Sequence, residues 1–567
     1  MKKNIFYSFI VAILLSSCQG MDLMPADKMS DGDYWLTEND FKIYANGLYP
    51  SLMKFNGDDN LAQYDQKADL STSYFGFNSV SNGRWLPSES DGVWDDCYAY
   101  LRKIHILLEH VDALHTTDPK ILRYKGEALF FRAYQYFKLL NRFGDVPLVT
   151  HSLDIDSPEL FMERTPRKEV EDAILQDLYD ASLLLPKKSE MAVAETGRIT
   201  SGAAVAFRAR VALYAGTWAI NHKHRSDGLA LLGIAKECAR QLIFDKPEYD
   251  LYYEASLGAD SYRKLFLEDG DNSCESILDY QYAKNMKGTF HDMADKVSAG
   301  YLLATKKFAD MFLDKNGVPI DNVETCFQGY ESVQSEYEDR DPRMTCVLQV
   351  PGRKYIYVSQ HGVATECPVS FMGICSTNTG YRVWKYISEL PDIYHVGAYY
   401  NAHIIRFAEV LLIYAEATYE LEGEISDNDL NNSINRIRKR VGMPDLTNEF
   451  VTKYGLDMRE EIRRERTIEL CFEANRYDDL RRWKTAEVEM PLPLKGVKFS
   501  NYADENEELS PSLDSDGFVI TEDNRKFRPG RDYLAPLPTK QINMSNGRLV
   551  SLRREISPGS STSACSQ

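Results

Sequence analysis

Long stretches of the chain repeat apolar residues with the period of a helix. Between Pro119 and Phe143, the residues Phe130, Tyr134 and Phe137 recur at i, i+4 and i+7. That run stops at Gly144, with Pro147 just beyond, as a helix C-terminus should. Between Gly197 and Trp218, an alanine recurs every third position from Ala203 to Ala215, which lets a neighbouring helix approach closely. A partner helix is expected over Asp227 to Phe244. Another helix is expected from about Ile404 to Leu421, with Ala408, Leu412, Ala415 and Tyr419 on one face and Gly423 at its end. The next runs from about Asp427 to Val441, carries Leu430, Ile434 and Ile437, and is ended by Gly442 and Pro444. Strand-like runs are few and short: Arg343–Val350 and Tyr381–Tyr386.

The last two helices form a helix–turn–helix hairpin with Ala and Tyr at the crossing positions, which resembles a tetratricopeptide unit. The Ala-rich helix and its partner form a second such pair. The fold class that follows is mainly α: tetratricopeptide-like helix pairs form a scaffold that carries large loop-rich segments and minor short strands. Those segments, at about 56–90, 245–300, 315–400 and 490–567, are rich in Gly, Asn, Ser and aromatics. Loops of this length are uncommon unless they carry function.

Composition narrows the function. The chain has 567 residues and a net charge of −19, from 85 acidic and 66 basic side chains. Such an excess repels phosphate backbones, so no nucleic-acid partner is expected. Of its 35 Tyr, 25 Phe and 6 Trp many must lie in the core, but Tyr tolerates a surface because its ring is amphipathic.

The N-terminus sets the compartment. Lys2 and Lys3 precede an apolar run of 11 residues, Ile5 to Leu15, too short to span a bilayer. Leu15-Ser16-Ser17-Cys18 resembles a lipobox, so residues 1–17 read as a lipoprotein signal peptide, Cys18 as the lipidated residue, and 18–32 as a polar tether. Three acyl chains on Cys18 would hold firmly, since each buried methylene contributes about 0.8 kcal/mol. No C-x-x-C pair occurs, which argues against zinc-ribbon or thioredoxin-like chemistry. Cys97, Cys238 and Cys471 sit in helical patterns as small core residues. Cys367 and Cys375 are spaced either to close a short disulfide loop or to stand as separate buried thiols.

Five segments, in order, resemble the SusD/RagB family. They are Phe131-Arg132-Ala133-Tyr134-Gln135-Tyr136-Phe137 with Phe143-Gly144-Asp145-Val146-Pro147; Gly197-Arg198-Ile199-Thr200; Ile405-Arg406-Phe407-Ala408-Glu409 through Tyr414-Ala415-Glu416-Ala417; Ile434-Asn435-Arg436-Ile437-Arg438 with Arg464-Glu465-Arg466 and Arg476-Tyr477-Asp478-Asp479-Leu480-Arg481-Arg482-Trp483; and Tyr533-Leu534-Ala535-Pro536-Leu537-Pro538. The resemblance implies an N-terminal region over 33–300 and a C-terminal region over 301–567, joined in one compact body. It implies an outer-membrane, lipid-anchored, surface-exposed protein that binds a nutrient oligosaccharide. It also implies delivery to a SusC-like TonB-dependent transporter as partner. Some members, of the RagB branch, bind peptides instead. The family is not enzymatic, and no cofactor is implied.

The residues themselves leave rival readings. Arg466, Glu469, Glu473 and Arg476 fall on one helical face. Two carboxylates there invite a glycoside hydrolase reading; the bland alternative is an ion-pair network of Arg466 with Glu469 and Glu473 with Arg476, joined by Arg406 and Glu409. Metal sites are weak: His222 and His224 read as solvated, and Asp269-Gly270-Asp271-Asn272 reads as a turn, because Cys274 replaces the glycine a calcium loop needs. The aromatic loop is more informative. Tyr74, Phe75 and Phe77 precede Asn82, Arg84 and Trp85, a mixture of flat rings and planar hydrogen-bonding groups. Rings stack on the C–H faces of a sugar while Asn and Arg bind its hydroxyls. These six, with Trp384, are the candidate ligand-binding residues. Tyr280, Tyr282, Phe290 and Tyr301 form a second aromatic cluster. Trp94, Tyr98 and Trp483 read as structural.

Overall fold

The computed structural model describes residues 34–550, apart from 58–59, 224, 246–247, 284–289, 351–353, 359–363, 369–376, 391–396 and 502–509. Cys18, His224 and Cys375 lie outside the described residues, as does the side chain of Cys367, so neither the anchor nor the Cys367–Cys375 pairing is seen.

The helical expectations are largely met. Helices α1 (Glu38–Asn46), α2 (Gly92–Ala113), α3 (Pro119–Phe143), α4 (Arg167–Leu184), α5 (Ser201–Asn221) and α6 (Gly228–Arg240) pack as successive neighbours. Helix α3 has the predicted ends. The Asp118 carboxylate accepts from the Lys120 amide at 2.9 Å, Pro119 takes the first position, and Gly144 at φ 76° turns the chain out of the helix. The motif Gly197–Thr200 lies outside α5, which starts at Ser201. There Thr200 caps the helix, and Arg198 forms a two-pronged ion pair with buried Glu127 at 2.7 and 2.9 Å. The alanine stripe from Ala203 to Ala215 is buried throughout.

Three expectations fail where long-range pairing overrides local pattern. Ile404 does not begin a helix: Ala402–Arg406 is strand β2, paired antiparallel with β1 (Ser276–Tyr280), and α7 starts at Phe407 and runs to Glu422. β-Branched Ile404 and Ile405 suit the strand. The segment Asp427–Val441 is two short helices, α8 (Asp427–Asn432) and α9 (Ile434–Arg440), broken at Ser433. Residues Arg343–Val350 are not a strand, because a helical turn spans Pro342–Val347, capped by Asp341. The run Tyr381–Tyr386 is extended only in part, through single bridges of Arg382 to Leu303 and Val383 to Leu348.

The charged helix is also interrupted. Helix α10 covers Met458–Glu469 and α11 covers Arg476–Arg482; between them Phe472 and Ala474 adopt left-handed φ of 58° and 61°. That turn presents Glu473 to Arg406 (2.6 Å) and Lys385 (2.7 Å). The ion pairs read from helical spacing are therefore replaced by others. Arg466 pairs with Asp479 at 2.9 Å, and Arg476 with Asp69 at 2.9 Å. The network itself is present, and Arg406 and Glu409 belong to buried charge clusters as expected. Arg406 binds Glu275 and Glu469, each at 2.7 Å; Arg343 binds Asp341, Glu465 and Glu469; Arg438 binds Glu465; Arg440 binds Glu275 and Glu469. Glu409 pairs instead with Arg210 at 2.6 Å.

These buried charges balance. Arg343, Lys385, Arg406, Arg438 and Arg440 face Glu275, Asp341, Glu465, Glu469 and Glu473. Removing one partner leaves an uncompensated charge in the core, which costs about 3–5 kcal/mol. Arg406→Met is accordingly expected to lower the free energy of unfolding by about that much, read by chemical denaturation.

His403, on β2, gives a second, pH-dependent handle. Burial alone would lower its pKa, but its 2.7 Å contact with Asp279 outweighs that and pushes it up to about 9. The pair therefore stabilises fully below the unfolded value near 6.5, and the contribution is lost as pH rises through 9. It is on the order of 3 kcal/mol. The difference in Tm between the protein and a His403→Asn variant should shrink between pH 6 and pH 10; an unchanged difference would show that His403 is neutral.

Candidate ligand-binding surface

The short antiparallel pair of Ser71–Thr72 with Leu303–Ala304 sets the surface up. Thr72 pairs with Leu303, and just past that point Tyr74 donates its amide to Gly300 at 3.0 Å. The register places Phe75 against Tyr301, with ring centroids 4.2 Å apart and planes within 25°. Tyr74 meets Phe75 edge-on at 5.5 Å. Phe75 remains 57% exposed and Tyr301 39%. A ring that is stacked on one side yet half open offers its other face to solvent, as a sugar-binding platform requires. Phe77, also exposed, lies two residues on.

Beyond the platform runs a loop to Trp85 that the C-terminal segment grips by its carbonyls. Arg525 donates to the Ser81 carbonyl (3.0 Å), Arg528 to Gly83 and Arg531 to Trp85. Gly83, at φ 72°, lies so close to the Lys526 carbonyl that a Cβ would sit 2.0 Å from it, so only glycine fits. Asn82 is buried here, 4% exposed, with its amide donating to Glu522 at 2.9 Å and its oxygen accepting from the Arg84 amide. It builds the loop and does not face outward. Arg84 is exposed.

Half-buried Trp85 stands at the rim of a cleft of about 110 Å³, under the Arg142 guanidinium at 5.5 Å from its ring centre. Arg142 is held by two hydrogen bonds to Asp91, the residue that also caps α2. Tyr64, Lys67 and Lys138 share the rim. The deeper wall comes from α3, α5 and α11, with Tyr134, Tyr214 and Arg481 among its side chains. The single turn Tyr64–Lys67 separates cleft from platform: Tyr64 and Lys67 line the cleft, while Gln63 reaches the Tyr301 carbonyl at 3.3 Å.

The other candidates are dispersed. Trp384 is only 6% exposed and packs under the Arg263 guanidinium, 4.2 Å from its ring centre, so it is a core residue and offers no face to a ligand. Of the second aromatic cluster, Tyr301 joins the platform. Tyr282 is buried and accepts from the Phe55 amide, Tyr280 lies beside Lys54, and Phe290 packs on Gly397. Trp94 and Trp483 are buried, the latter donating to Glu416 at 2.6 Å, and Tyr98 donates to the Pro147 carbonyl. His222 is not solvated: it stacks on Trp218 at 4.1 Å and contacts the Arg481 carbonyl. Residues 268–272 form a turn, in which the Asp271 carboxylate accepts from the Asn401 amide.

Glu469 and Glu473 cannot act as an acid–base pair. Burial would raise both pKa values, yet the surrounding Arg and Lys charges prevail, bringing Glu469 down to about 2 and Glu473 below its usual range. A glycosidase needs one carboxyl held protonated.

Two family models cover most of the chain: "SusD family" over residues 271–551 and "Starch-binding associating with outer membrane" over 54–213. The chain belongs to the SusD/RagB family. Curated SusD relatives include SusD-like protein P2 of Formosa agariphila, 22% identical and aligned over 96% of this chain and 97% of its own. A solved SusD-like protein from Bacteroides fragilis is 26% identical, with TM-score 0.71 over 92% of this chain and 98% of the other. The surface glycan-binding protein A of Bacteroides thetaiotaomicron, solved with laminarihexaose, has TM-score 0.60 at 16% identity and shares the SusD fold, over 91% of this chain and 99% of the other. The SusD fold thus matches the mainly α architecture seen here. Among the described residues, no helix is long and apolar enough to cross a membrane.

Proposed function

We propose that this SusD-family protein is a surface lipoprotein, anchored through Cys18, that captures a nutrient oligosaccharide and hands it to a SusC-like TonB-dependent transporter in the outer membrane. The observation that carries the binding step is the stacked, half-open Phe75–Tyr301 pair beside the cleft rimmed by Trp85. Flat rings take up sugar C–H faces with modest affinity, which suits a protein that must release its cargo. The loop that presents Trp85 is fixed by arginine-to-carbonyl hydrogen bonds, so little ordering cost falls on binding. Handover, rather than chemistry, is also consistent with Glu469 and Glu473 being locked in ion pairs.

Phe75→Ala and Trp85→Ala are each expected to raise the Kd for a bound oligosaccharide about tenfold, some 1.4 kcal/mol, while Phe75→Ala leaves Tm unchanged. Calorimetry against a glycan panel and a casein digest reads this. Binding of the digest alone would assign the protein to the peptide-binding branch. Separately, cells grown on labelled fatty acid should label the protein, and Cys18→Ser should abolish labelling and release it from the membrane. An unlabelled, membrane-free wild type would overturn the anchor.

A further inference from the structure

The charge of the cleft runs against the charge of the chain. The whole protein carries 85 acidic and 66 basic side chains, yet seven basic and only three acidic side chains line this cleft. Lys67, Lys138 and Arg142 are at the rim. Four more arginines, on α5, α10 and α11, line the wall. The three acids are Glu473, Asp478 and Asp479.

The compensating carboxylates are placed asymmetrically. Arg142 is balanced by Asp91, Arg210 by Glu409 and Arg482 in part by Glu416, and none of these three acids is part of the lining, whereas Asp478 and Asp479, which pair with Arg481, Arg466 and Arg482, are. A molecule in the cleft thus meets the guanidiniums of Arg142 and Arg210 without their carboxylates, and Lys67 and Lys138 add two further cations at the rim. Glu473 is turned the other way, since its oxygens are engaged by Arg406 and Lys385 outside the lining.

A second observation is independent of this count. Arg466 and Arg481 are nine-tenths or more buried and both line the cleft, and each keeps one buried N–H without an acceptor in the protein: Nη1 of Arg466 and Nε of Arg481. Both nitrogens are enclosed by the wall and reach no solvent themselves, so what the wall presents to the cleft is the positive charge of two guanidiniums rather than two open donors. Charged donors favour an anionic acceptor, with which hydrogen bonds are roughly twice as strong as neutral ones.

Resting on the glycan-binding reading above, we propose that the ligand is an acidic glycan, whose carboxylate or sulfate ester enters the cleft between Lys67, Lys138, Arg142 and the Arg466–Arg481 wall while its neutral sugars lie across Trp85 and the Phe75–Tyr301 platform. The size of the cleft fits this division. About 110 Å³ admits a charged group and the edge of one ring, not a length of chain, so the remaining sugars must lie outside. A low-dielectric wall also strengthens the attraction relative to open solvent.

The test titrates the full-length protein, carrying Cys18→Ser so that it is free of the membrane, with three probes of equal length: an oligogalacturonate, a sulfated carrageenan oligosaccharide and a neutral laminari-oligosaccharide. At least one acidic probe should bind ten times more tightly than the neutral one, and which of the two does so separates carboxylate from sulfate. Its affinity should fall steeply with added salt, while that of the neutral probe stays level. Lys138→Gln, checked for unaltered Tm, should remove most of the ratio between acidic and neutral affinity and flatten the salt dependence of the acidic probe. Neutral binding as tight as acidic, with no salt dependence, would overturn the acidic assignment and leave the glycan reading intact. Binding of none of the probes, nor of any member of a wider glycan panel, would overturn both.

Discussion

Everything in this molecule is hung on a lattice of buried ion pairs. Its cations and anions come from segments far apart in sequence: Glu275 from just before β1, Asp341 and Arg343 from the turn before and within Pro342–Val347, Lys385 from an extended run, Arg406 from β2, Arg438 and Arg440 from α9, Glu465 and Glu469 from α10, and Glu473 from a strained turn. Each charge is too costly to bury alone, so all of them must arrive together. The lattice acts as a registration device that fixes where helices, strands and irregular segments meet. It also explains how Phe472 and Ala474 can hold left-handed backbone angles. Such strain costs of order 1–3 kcal/mol per residue, and it is offset by the two cations that grip Glu473 between them.

Because α10 and α11 are fixed by that lattice and by the adjoining Arg466–Asp479–Arg482–Glu416 cluster, one wall of the cleft is rigid. The facing elements are fixed differently. The turn at residues 64–67 is joined to α11 through Asp65, which accepts from the Arg476 amide, and through Asp69, which pairs with the Arg476 side chain. The Trp85 loop is held by the C-terminal arginines. The proposed binding surface therefore consists of loops in sequence terms and of a stiff frame in physical terms. That is the combination a capture protein needs: irregular segments supply varied side chains, and a scaffold keeps them from losing affinity to disorder.

Parts of the proposed binding surface could be read beforehand and parts could not. Exposed Tyr74, Phe75 and Phe77 are too apolar for a solvated loop, and their density against Asn and Arg was a legible signal. Asn82 and Trp384 carried the same residue-type signal and yet serve the interior, one holding Glu522 and the other lying under Arg263. Residue type cannot distinguish a ring that faces water from one that faces a guanidinium. Arg525, Arg528 and Arg531 recur every third position, which is a visible pattern. Nothing in it announces that their targets are backbone carbonyls more than 440 residues earlier. Tyr301 gained its place only through the pairing of Thr72 with Leu303.

The sequence by itself determined what local chemistry can enforce: the helices with their caps at Asp118, Thr200 and Gly423, the close-packed alanine stripe, the mainly α class and the family motifs. Helical periodicity and capping act over a few residues, so a linear reading captures them. Only the tertiary structure decided that Ile404 and Ile405 join a strand, that Glu473 leaves the helix, which arginine neutralises which carboxylate, and that seven cations gather around one cleft. Those outcomes depend on desolvation, and a charge is desolvated by whatever the whole fold places around it. No window along the chain contains that information.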